Sequence, residues 1–488
     1  MSSLPLHLDT AVCDRARLAR DPRFDGRFFI AVTSTHIYCR PICPAISPKP
    51  SRIRYFPTAA AAAEAGFRPC LRCRPEAAPG TPAWLGTSAT VRRALRLIQE
   101  GALDTGSVEE LASRLGIGAR HLHRLFIQHV GASPLAVAQT RRLHFAKRLI
   151  DDTRLPMTEI ALASGFGSLR RFNDAFQHTY GRAPRDLRRG RRAPEAVDDA
   201  LTLRLAYRPP YDWRAIQDFF ARRALPGVEC VTRESYTRTV SVHGDSGWIE
   251  VKPAADADAL DLSVHGLGAT ALLAAALRVR QVFDLAADPA DVRRTLGDDP
   301  LLKPLLRRRP GLRVPGAWDP FELAVRAVLG QQVSVAAART LAARLVAAHG
   351  RPLPAPARGL THLFPDAATL ATADLTGIGL TRARALAVNA LAEAVADGRV
   401  VLDDAAAADE LRESLTRLPG IGPWTAEYVA MRALSEPDAF PAEDLVLRRM
   451  AGGRRPLTVK TLLERAERWR PWRAYAVMHL WRAASDAG

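Results

Sequence analysis

Cys39 and Cys43 lie in the run Cys-Arg-Pro-Ile-Cys, and Cys70 and Cys73 in Pro-Cys-Leu-Arg-Cys-Arg-Pro. Two close thiol pairs separated by one longer loop can close a tetrahedral site for a single zinc ion. Only Cys13 and Cys230 remain, so a metal explains the pattern better than a disulfide framework. Four-thiolate zinc sites are usually structural, and spacing alone favours that reading. Metal binding would supply folding energy on the order of 10 kcal/mol, which a module with so thin an apolar core requires. The surroundings are unusual. Arg40, Lys49, Arg52, Arg54, Arg68, Arg72 and Arg74 put positive charge near the thiolates, which favours anion binding and sulfur nucleophilicity.

A second chemical signal is the run Leu418-Pro-Gly-Ile-Gly-Pro-Trp-Thr-Ala-Glu-Tyr428. Gly420 and Gly422 allow a tight turn between two helices, with Leu418 and Ile421 beside them. Backbone N–H groups at a helix N-terminus then grip a phosphate without reading sequence. The similar Gly377-Ile378-Gly379 lacks the leading Leu-Pro and the aromatic helix, and reads as a simple turn. Asp444 follows Trp424 by 20 residues, in a loop that also holds Asp438 and Glu443. A carboxylate there can stabilise a cationic sugar or orient water; the plainer role for Asp444 is a helix cap before Leu445. Trp424, Tyr428 and Trp481 are the aromatic partners, with core packing as their plainer role.

These residues need elements to hold them. The chain has 488 residues, enough for about three domains at roughly 150 residues each. It is 48% hydrophobic and 25% charged, so it should fold throughout. The net charge of +18 favours a polyanionic partner, most simply nucleic acid. The N-terminus lacks a basic segment followed by an apolar core, and no apolar run reaches about 18 residues. A cytoplasmic protein with no membrane partner follows as an expectation. Linker composition falls at Arg74–Pro82 and Arg189–Pro194, with a softer boundary near Leu267–Thr270.

Between the first two linkers lies an internal repeat. Val108–Gly118 and Thr158–Gly167 are similar; each precedes an arginine-rich helix with an inward phenylalanine, Phe126 or Phe176. Each ends in Gly-x-x-Pro, at Gly131–Pro134 and Gly181–Pro184. A helix, a glycine turn and a basic helix, twice, predicts two recognition helices for major grooves about 34 Å apart. Further on, Thr237–His243 and Gly247–Val251 alternate as strands of a small antiparallel sheet. Asp319 caps a long helical run expected over Pro320–His349.

Three family resemblances rest on these motifs. The stretch from Phe24 to Pro44, with Gly66–Cys73, resembles the zinc domain of the Ada methylation-response family over about residues 10–76. That resemblance implies a zinc thiolate that removes a methyl group from an alkylated DNA phosphotriester, with Cys39 as acceptor. Methylation would change the cluster from −2 to −1, strengthen DNA binding and activate transcription. The repeat resembles the AraC-type DNA-binding domain. It implies promoter contacts around Arg120, His123, Arg124, Arg170, Arg171 and Asn173, with RNA polymerase as a partner. No Pro-Cys-His-Arg tetrapeptide occurs, so repair of O6-alkylguanine is not expected.

The chain from about 200 to 486 resembles the helix-hairpin-helix DNA glycosylases, most closely the AlkA branch. Residues Arg326–Val335, Leu418–Leu434 and Glu467–Trp481 carry the match. It implies Asp444 as catalytic, and Trp424, Tyr428 and Trp481 as an electron-rich pocket for a flipped cationic N-alkylpurine. Trp424 stands where bifunctional relatives carry a lysine nucleophile, so a hydrolytic enzyme that forms no Schiff base is implied. Gln332 stands where an apolar wedge enters the duplex in that branch.

The expected fold is multidomain α+β. A small α/β zinc domain (1–76) precedes an all-α double helix-turn-helix domain (84–188). A small antiparallel β domain (199–270) and a helical glycosylase domain (271–488) follow. The function implied is an alkylation-damage response protein acting on damaged and promoter double-stranded DNA as a monomer associated with the nucleoid. The alternatives are a zinc-stabilised regulator whose C-terminal part only binds DNA, and a glycosylase with lyase activity.

Overall fold

The computed structural model describes residues 9–79, 89–189, 201–402, 408–453 and 455–487. Two compact units account for it. The first comprises residues up to 209 with 254–277 and 285–287; the second comprises 210–253, 278–284 and 288 onward. Strand Leu201–Ala206 pairs antiparallel with Ala259–His265 inside the first unit. Residues 199–270, expected as one β domain, are thus shared between the two units.

The cysteine module is a four-stranded sheet in the order Ile53–Phe56, Phe29–Val32, Ile37–Cys39, Arg68–Pro69. The first two pairings are antiparallel and the last is parallel. That parallel edge builds the metal site. Tyr38 lies opposite Pro69, and Cys70 N donates to Tyr38 O at 3.0 Å, so the strand ends deliver Cys39 and Cys70 side by side. Phe29, Ala31, Tyr38, Ala62 and Phe67 form a small core beneath.

Helices Val108–Arg114 and Ala119–Val130 make one helix-turn-helix; Met157–Ala163 and Leu169–Tyr180 make the other. The 19-residue helix Pro134–Asp152 joins them. Serine caps at Ser107, Ser133 and Ser168 start three of these helices, the first as a capping box with Glu110. Gly165, in the second turn, has φ +79°, and a Cβ there would lie 2.4 Å from Asp104 Oδ2. Only glycine fits.

The expected linker at 74–82 is structured over its described part. Pro75 and Glu76 are buried, because Glu76 meets Lys147 and Arg74 meets Asp151 and Asp152 of the joining helix. Residues 80–82 and 190–194 lie outside the described residues.

In the second unit, Glu229–Val231, Tyr236–Val242 and Asp245–Pro253 form an antiparallel meander, which contains both predicted strand runs except His243, a turn residue. Helix Pro320–Leu329 is capped by Asp319 as expected and runs through the core. Leu323, Val325 and Val328 pack there with Val388, Leu391, Leu415 and Val429. Each such side chain contributes roughly 1.5–3 kcal/mol. The long helix expected over 320–349 is broken. It stops at Leu329, and Ser334 caps a new helix, Val335–His349. The break suits Gly330 and Ser334, a weak helix former followed by a strong N-cap. Gln332 between them takes φ +54°. Among the described residues, no helix is long and apolar enough to cross a membrane.

Candidate functional sites

The four sulfurs of Cys39, Cys43, Cys70 and Cys73 lie within 4.8 Å of one another. A zinc tetrahedron with bonds of about 2.3 Å needs sulfurs a little closer, within side-chain adjustment. Cys73 is buried, Cys70 nearly so, and Cys39 and Cys43 are partly exposed. The amides donate selectively. Arg40 N donates to Cys73 Sγ at 3.3 Å, and the amides of Ala45 and Cys73 serve Cys43 and Cys70. Amide bonds stabilise thiolate charge and dull it, which sets Cys73 apart as a structural ligand.

The positive surroundings divide into two groups. Arg40 is committed to Asp25 and to Cys73 O, and Arg74 to the joining helix. Lys49, Arg52, Arg54, Arg68 and Arg72 remain exposed. Arg40 and Arg74 therefore brace the module, while the other five can meet phosphate. Tyr38, next to Cys39, hydrogen-bonds His144 of the joining helix at 2.9 Å. Burial holds the His144 imidazole down at about 4, with Arg148 adding to the effect.

All six residues expected at the promoter are exposed. Arg120, His123 and Arg124 lie on Ala119–Val130, and Arg170, Arg171 and Asn173 on Leu169–Tyr180. Phe126 and Phe176 point inward and are fully buried.

In the second unit, Phe219, Arg223, Trp424, Tyr428, Asp444 and Trp481 line a cavity of about 530 Å³. Its size suits a single base. Helix Pro423–Ala433 delivers both Trp424 and Tyr428, four residues apart and hence on one face. Their rings stack with centroids 5.2 Å apart and planes 11° apart. Trp481 tilts against Tyr428 at 6.1 Å. The stack leaves no room for a base between Trp424 and Tyr428, so a ligand must use their outer faces or that of Trp481.

The three candidate acids separate cleanly. Asp438 is held by Arg470 and Arg473 and is structural. Glu443 is exposed. Asp444 faces the cavity; its Oδ1 accepts Leu447 N at 2.9 Å, capping Leu445–Gly452, and its Oδ2 accepts Trp424 Nε1 at 3.0 Å. The plainer role of Asp444 as a cap is real, but it uses one oxygen only.

The hairpin turn joins Ala408–Thr416 to Pro423–Ala433. Gly420 has φ +76° and is exposed, and Pro423 occupies the first helical position. Ile421 is buried and Leu418 packs on the same core. Those two side chains anchor the turn, leaving its backbone outermost. Gly377 and Ile378 lie in the short 3-10 turn Thr376–Ile378, which Gly379 ends with φ +85°, a simple turn as expected. Gln332 is exposed in the loop between the two broken helices.

Several site residues escaped the sequence reading. Arg432 donates to Tyr428 Oη at 2.6 Å and to the carbonyls of Pro315 and Gly316. Its i,i+4 spacing from Tyr428 was the available signal. Arg223 lies over Phe219 at 3.8 Å. Burial raises the Tyr428 hydroxyl, but Arg432 and Arg223 outweigh it and hold the group below its ordinary value. Gln331 bridges to the hairpin, donating to Gly420 O at 2.8 Å and Thr425 Oγ1 at 3.0 Å.

Four family models match this chain. They are the metal binding domain of Ada (residues 12–76), a helix-turn-helix domain (111–190), the AlkA N-terminal domain (202–319) and the HhH-GPD superfamily of base excision DNA repair proteins (325–472). A probable bifunctional transcriptional activator/DNA repair enzyme AlkA of Mycobacterium tuberculosis is 43% identical over 98% of this chain and 97% of its own. The chain belongs to this bifunctional Ada/AlkA family. DNA-3-methyladenine glycosylase 2 of Escherichia coli is 35% identical over 57% of this chain and 95% of its own. The bifunctional transcriptional activator/DNA repair enzyme Ada of Escherichia coli is 34% identical over 36% of this chain and 47% of its own. This member of the family is a DNA repair protein. It joins a four-cysteine zinc domain and a helix-turn-helix domain to a helix-hairpin-helix glycosylase fold.

Proposed function

We propose that this chain is an alkylation-damage response protein with two chemistries. Its C-terminal part hydrolytically excises N-alkylated purines of the 3-methyladenine and 7-methylguanine class. The observation that carries this reading is Asp444, fixed at the mouth of an aromatic cavity by a cap bond and an indole bond. The alkylated base leaves with the electron pair of the N-glycosidic bond. The Asp444 carboxylate stabilises the cationic sugar electrostatically, and water adds to C1′, losing a proton to solvent to leave the neutral abasic sugar. Trp424, Tyr428 and Trp481 receive the flipped base. The backbone at Gly420 and Gly422, set by Leu418 and Ile421, grips the phosphate, and Gln332 enters the duplex. Trp424 at the lysine position favours hydrolysis over lyase chemistry.

In the same proposal, the Cys39 thiolate attacks the methyl carbon of a DNA phosphotriester. A sulfur–carbon bond forms, the oxygen–carbon bond breaks, and the phosphate leaves as a diester anion. Zinc, when bound, keeps the thiols deprotonated at neutral pH. The match of residues 12–76 to the metal binding domain of Ada supports Cys39 as acceptor, and its side chain is partly exposed. Loss of one negative charge would tighten the grip on DNA. Arg120, His123, Arg124, Arg170, Arg171 and Asn173 would then read the promoter and recruit RNA polymerase, with the protein acting as a cytoplasmic monomer on the nucleoid.

The test of the thiol chemistry is transfer of radiolabelled methyl groups from phosphotriester DNA to protein. Wild type should take up about one label per chain, and Cys39→Ser none. Equal uptake by both would remove Cys39 from the role.

A further inference from the structure

Six arginines line the cavity that holds Asp444: Arg222, Arg223, Arg326, Arg339, Arg432 and Arg482. Among the described residues, Asp444 is the only carboxylate in that lining. Four of the guanidiniums are used within the protein. Arg326 meets Glu229 and Glu322, and Arg482 meets Asp218 and Asp486. Arg432 donates to Tyr428 Oη and to two carbonyls, and Arg223 donates to Phe219 O at 3.2 Å while lying over the Phe219 ring. Arg222 and Arg339 differ from these. Both are exposed, and neither meets a carboxylate among the described residues. Arg222 ends the helix Trp213–Ala221, and Arg339 stands in the second turn of Val335–His349. Arg339 Nε donates to Ala224 O at 2.7 Å, two residues beyond Arg222, so the two arginines share one side of the cavity. That bond fixes the plane of the Arg339 guanidinium. Its terminal nitrogens remain as an end-on fork, which fits two oxygens of one phosphate.

We propose that Arg222 and Arg339 bind a backbone phosphate flanking the flipped nucleotide. This rests on the reading that the cavity receives an alkylated base with its C1′ at Asp444. The flanking phosphates are tied to that carbon through a few bonds, so they stay near Asp444 once the base is seated. Two negative groups then approach each other where water is thinned, and their repulsion opposes seating the base. Cations at the same side of the cavity offset it. The four committed arginines already have partners; the two exposed ones are placed to serve the phosphate. The hairpin amides near Gly420 carry no net charge, so they cannot do this by themselves. Recognition of the lesion should therefore depend on the charge of one flanking phosphate.

The test uses the full zinc-bound chain and a labelled duplex carrying a tetrahydrofuran abasic analogue. Excess unlabelled undamaged duplex absorbs the binding common to any DNA. Methylphosphonate, which is uncharged, replaces the phosphate on the 5′ side of the analogue, on the 3′ side, or neither. Fluorescence anisotropy reads binding by wild type, Arg222→Gln, Arg339→Gln and the double variant. Wild type should lose about tenfold in affinity when one of the two phosphates is neutralised, and the double variant should lose about as much on the unmodified duplex. The double variant should then bind that methylphosphonate duplex and the unmodified one within about twofold, because the contact is already gone. Contacts from the zinc and helix-turn-helix modules are common to both proteins and cancel in this cycle. A double variant as sensitive to methylphosphonate as wild type overturns the proposal alone, as does a wild type insensitive at both positions. A wild type that binds the analogue no better than undamaged duplex removes the reading of the cavity, and the proposal with it. Both side chains are exposed, and unchanged melting of the variants verifies their fold. The methylphosphonate arm with wild type requires no variant.

Discussion

Trp424 donates its indole N–H to Asp444 Oδ2 at 3.0 Å, while the other oxygen of Asp444 caps the next helix through Leu447 N. The two residues are 20 positions apart and lie on different helices. The bond fixes the rotamer of the carboxylate and ties its position to the aromatic stack. A small misplacement of such a group costs rate rather than binding. Trp424→Phe, which keeps a ring but loses the donor, is expected to lower kcat for base release about tenfold with little change in KM. Single-turnover excision kinetics check this; a change in KM alone would mean that Trp424 serves substrate binding only.

The zinc module shares a unit with the helix-turn-helix pair through Tyr38–His144, Arg74–Asp151, Arg74–Asp152 and Glu76–Lys147. Removing zinc by chelation should therefore lower the melting transition of the zinc and helix-turn-helix modules together, a loss on the order of 10 kcal/mol. Base release by the second unit should persist in the chelated protein. Calorimetry beside an excision assay separates the two responses.

Much of this was legible in the sequence because it is local. The cysteine spacing, the helix-turn-helix repeat and the Leu418–Tyr428 run each declare themselves within a few residues. Choosing Asp444 over Asp438 and Glu443 needed the family resemblance, because all three share one loop. What separates them physically is which guanidiniums lie near, and Arg470 and Arg473 are about 30 residues away. The break at Gly330–Ser334 was hidden because apolar periodicity continues on both sides of it. The bracing by Arg40 and Arg74 was invisible because charge reads alike whether it is paired or free. Gln331 lies some 90 residues from the hairpin it supports, beyond any local pattern.

Gly420 takes φ +76°, and a Cβ there would lie 2.9 Å from the Cβ of Ala387. Gly420→Ala is expected to cost about 1–2 kcal/mol through the left-handed backbone and the contact. It should also raise KM for damaged duplex, because the amides proposed to grip the phosphate shift. Thermal melting and steady-state kinetics measure the two effects. An unchanged KM would remove the turn from the DNA interface.

His479, on the helix that carries Trp481, is held down at about 4, chiefly by burial and further by Arg309. Below its ordinary 6.5, the unfolded imidazole takes up a proton that the folded one refuses. Stability from this group is therefore lost as pH falls from 6.5 towards 4, by up to about 3 kcal/mol. Asp284, raised to about 6 chiefly by burial, acts in the opposite direction. It releases its penalty as pH falls from 6 towards its ordinary 3.8. The informative quantity is the difference between wild type and His479→Gln. The variant should lose less stability on acidification across that window, as read by denaturant melts at pH 7 and pH 5.

Asp444 is proposed as the key carboxylate of an enzyme housed in the second unit. The direct measurement is release of 3-methyladenine and 7-methylguanine from methylated duplex DNA by wild type and Asp444→Asn. The asparagine retains a cap oxygen, so the fold is kept while the charge is lost. Release by wild type, with the variant slower by about a hundredfold or more, is the expected result. No release by either protein, or equal release by both, would contradict the account and leave the second unit as a DNA-binding platform or an enzyme with a different catalytic group.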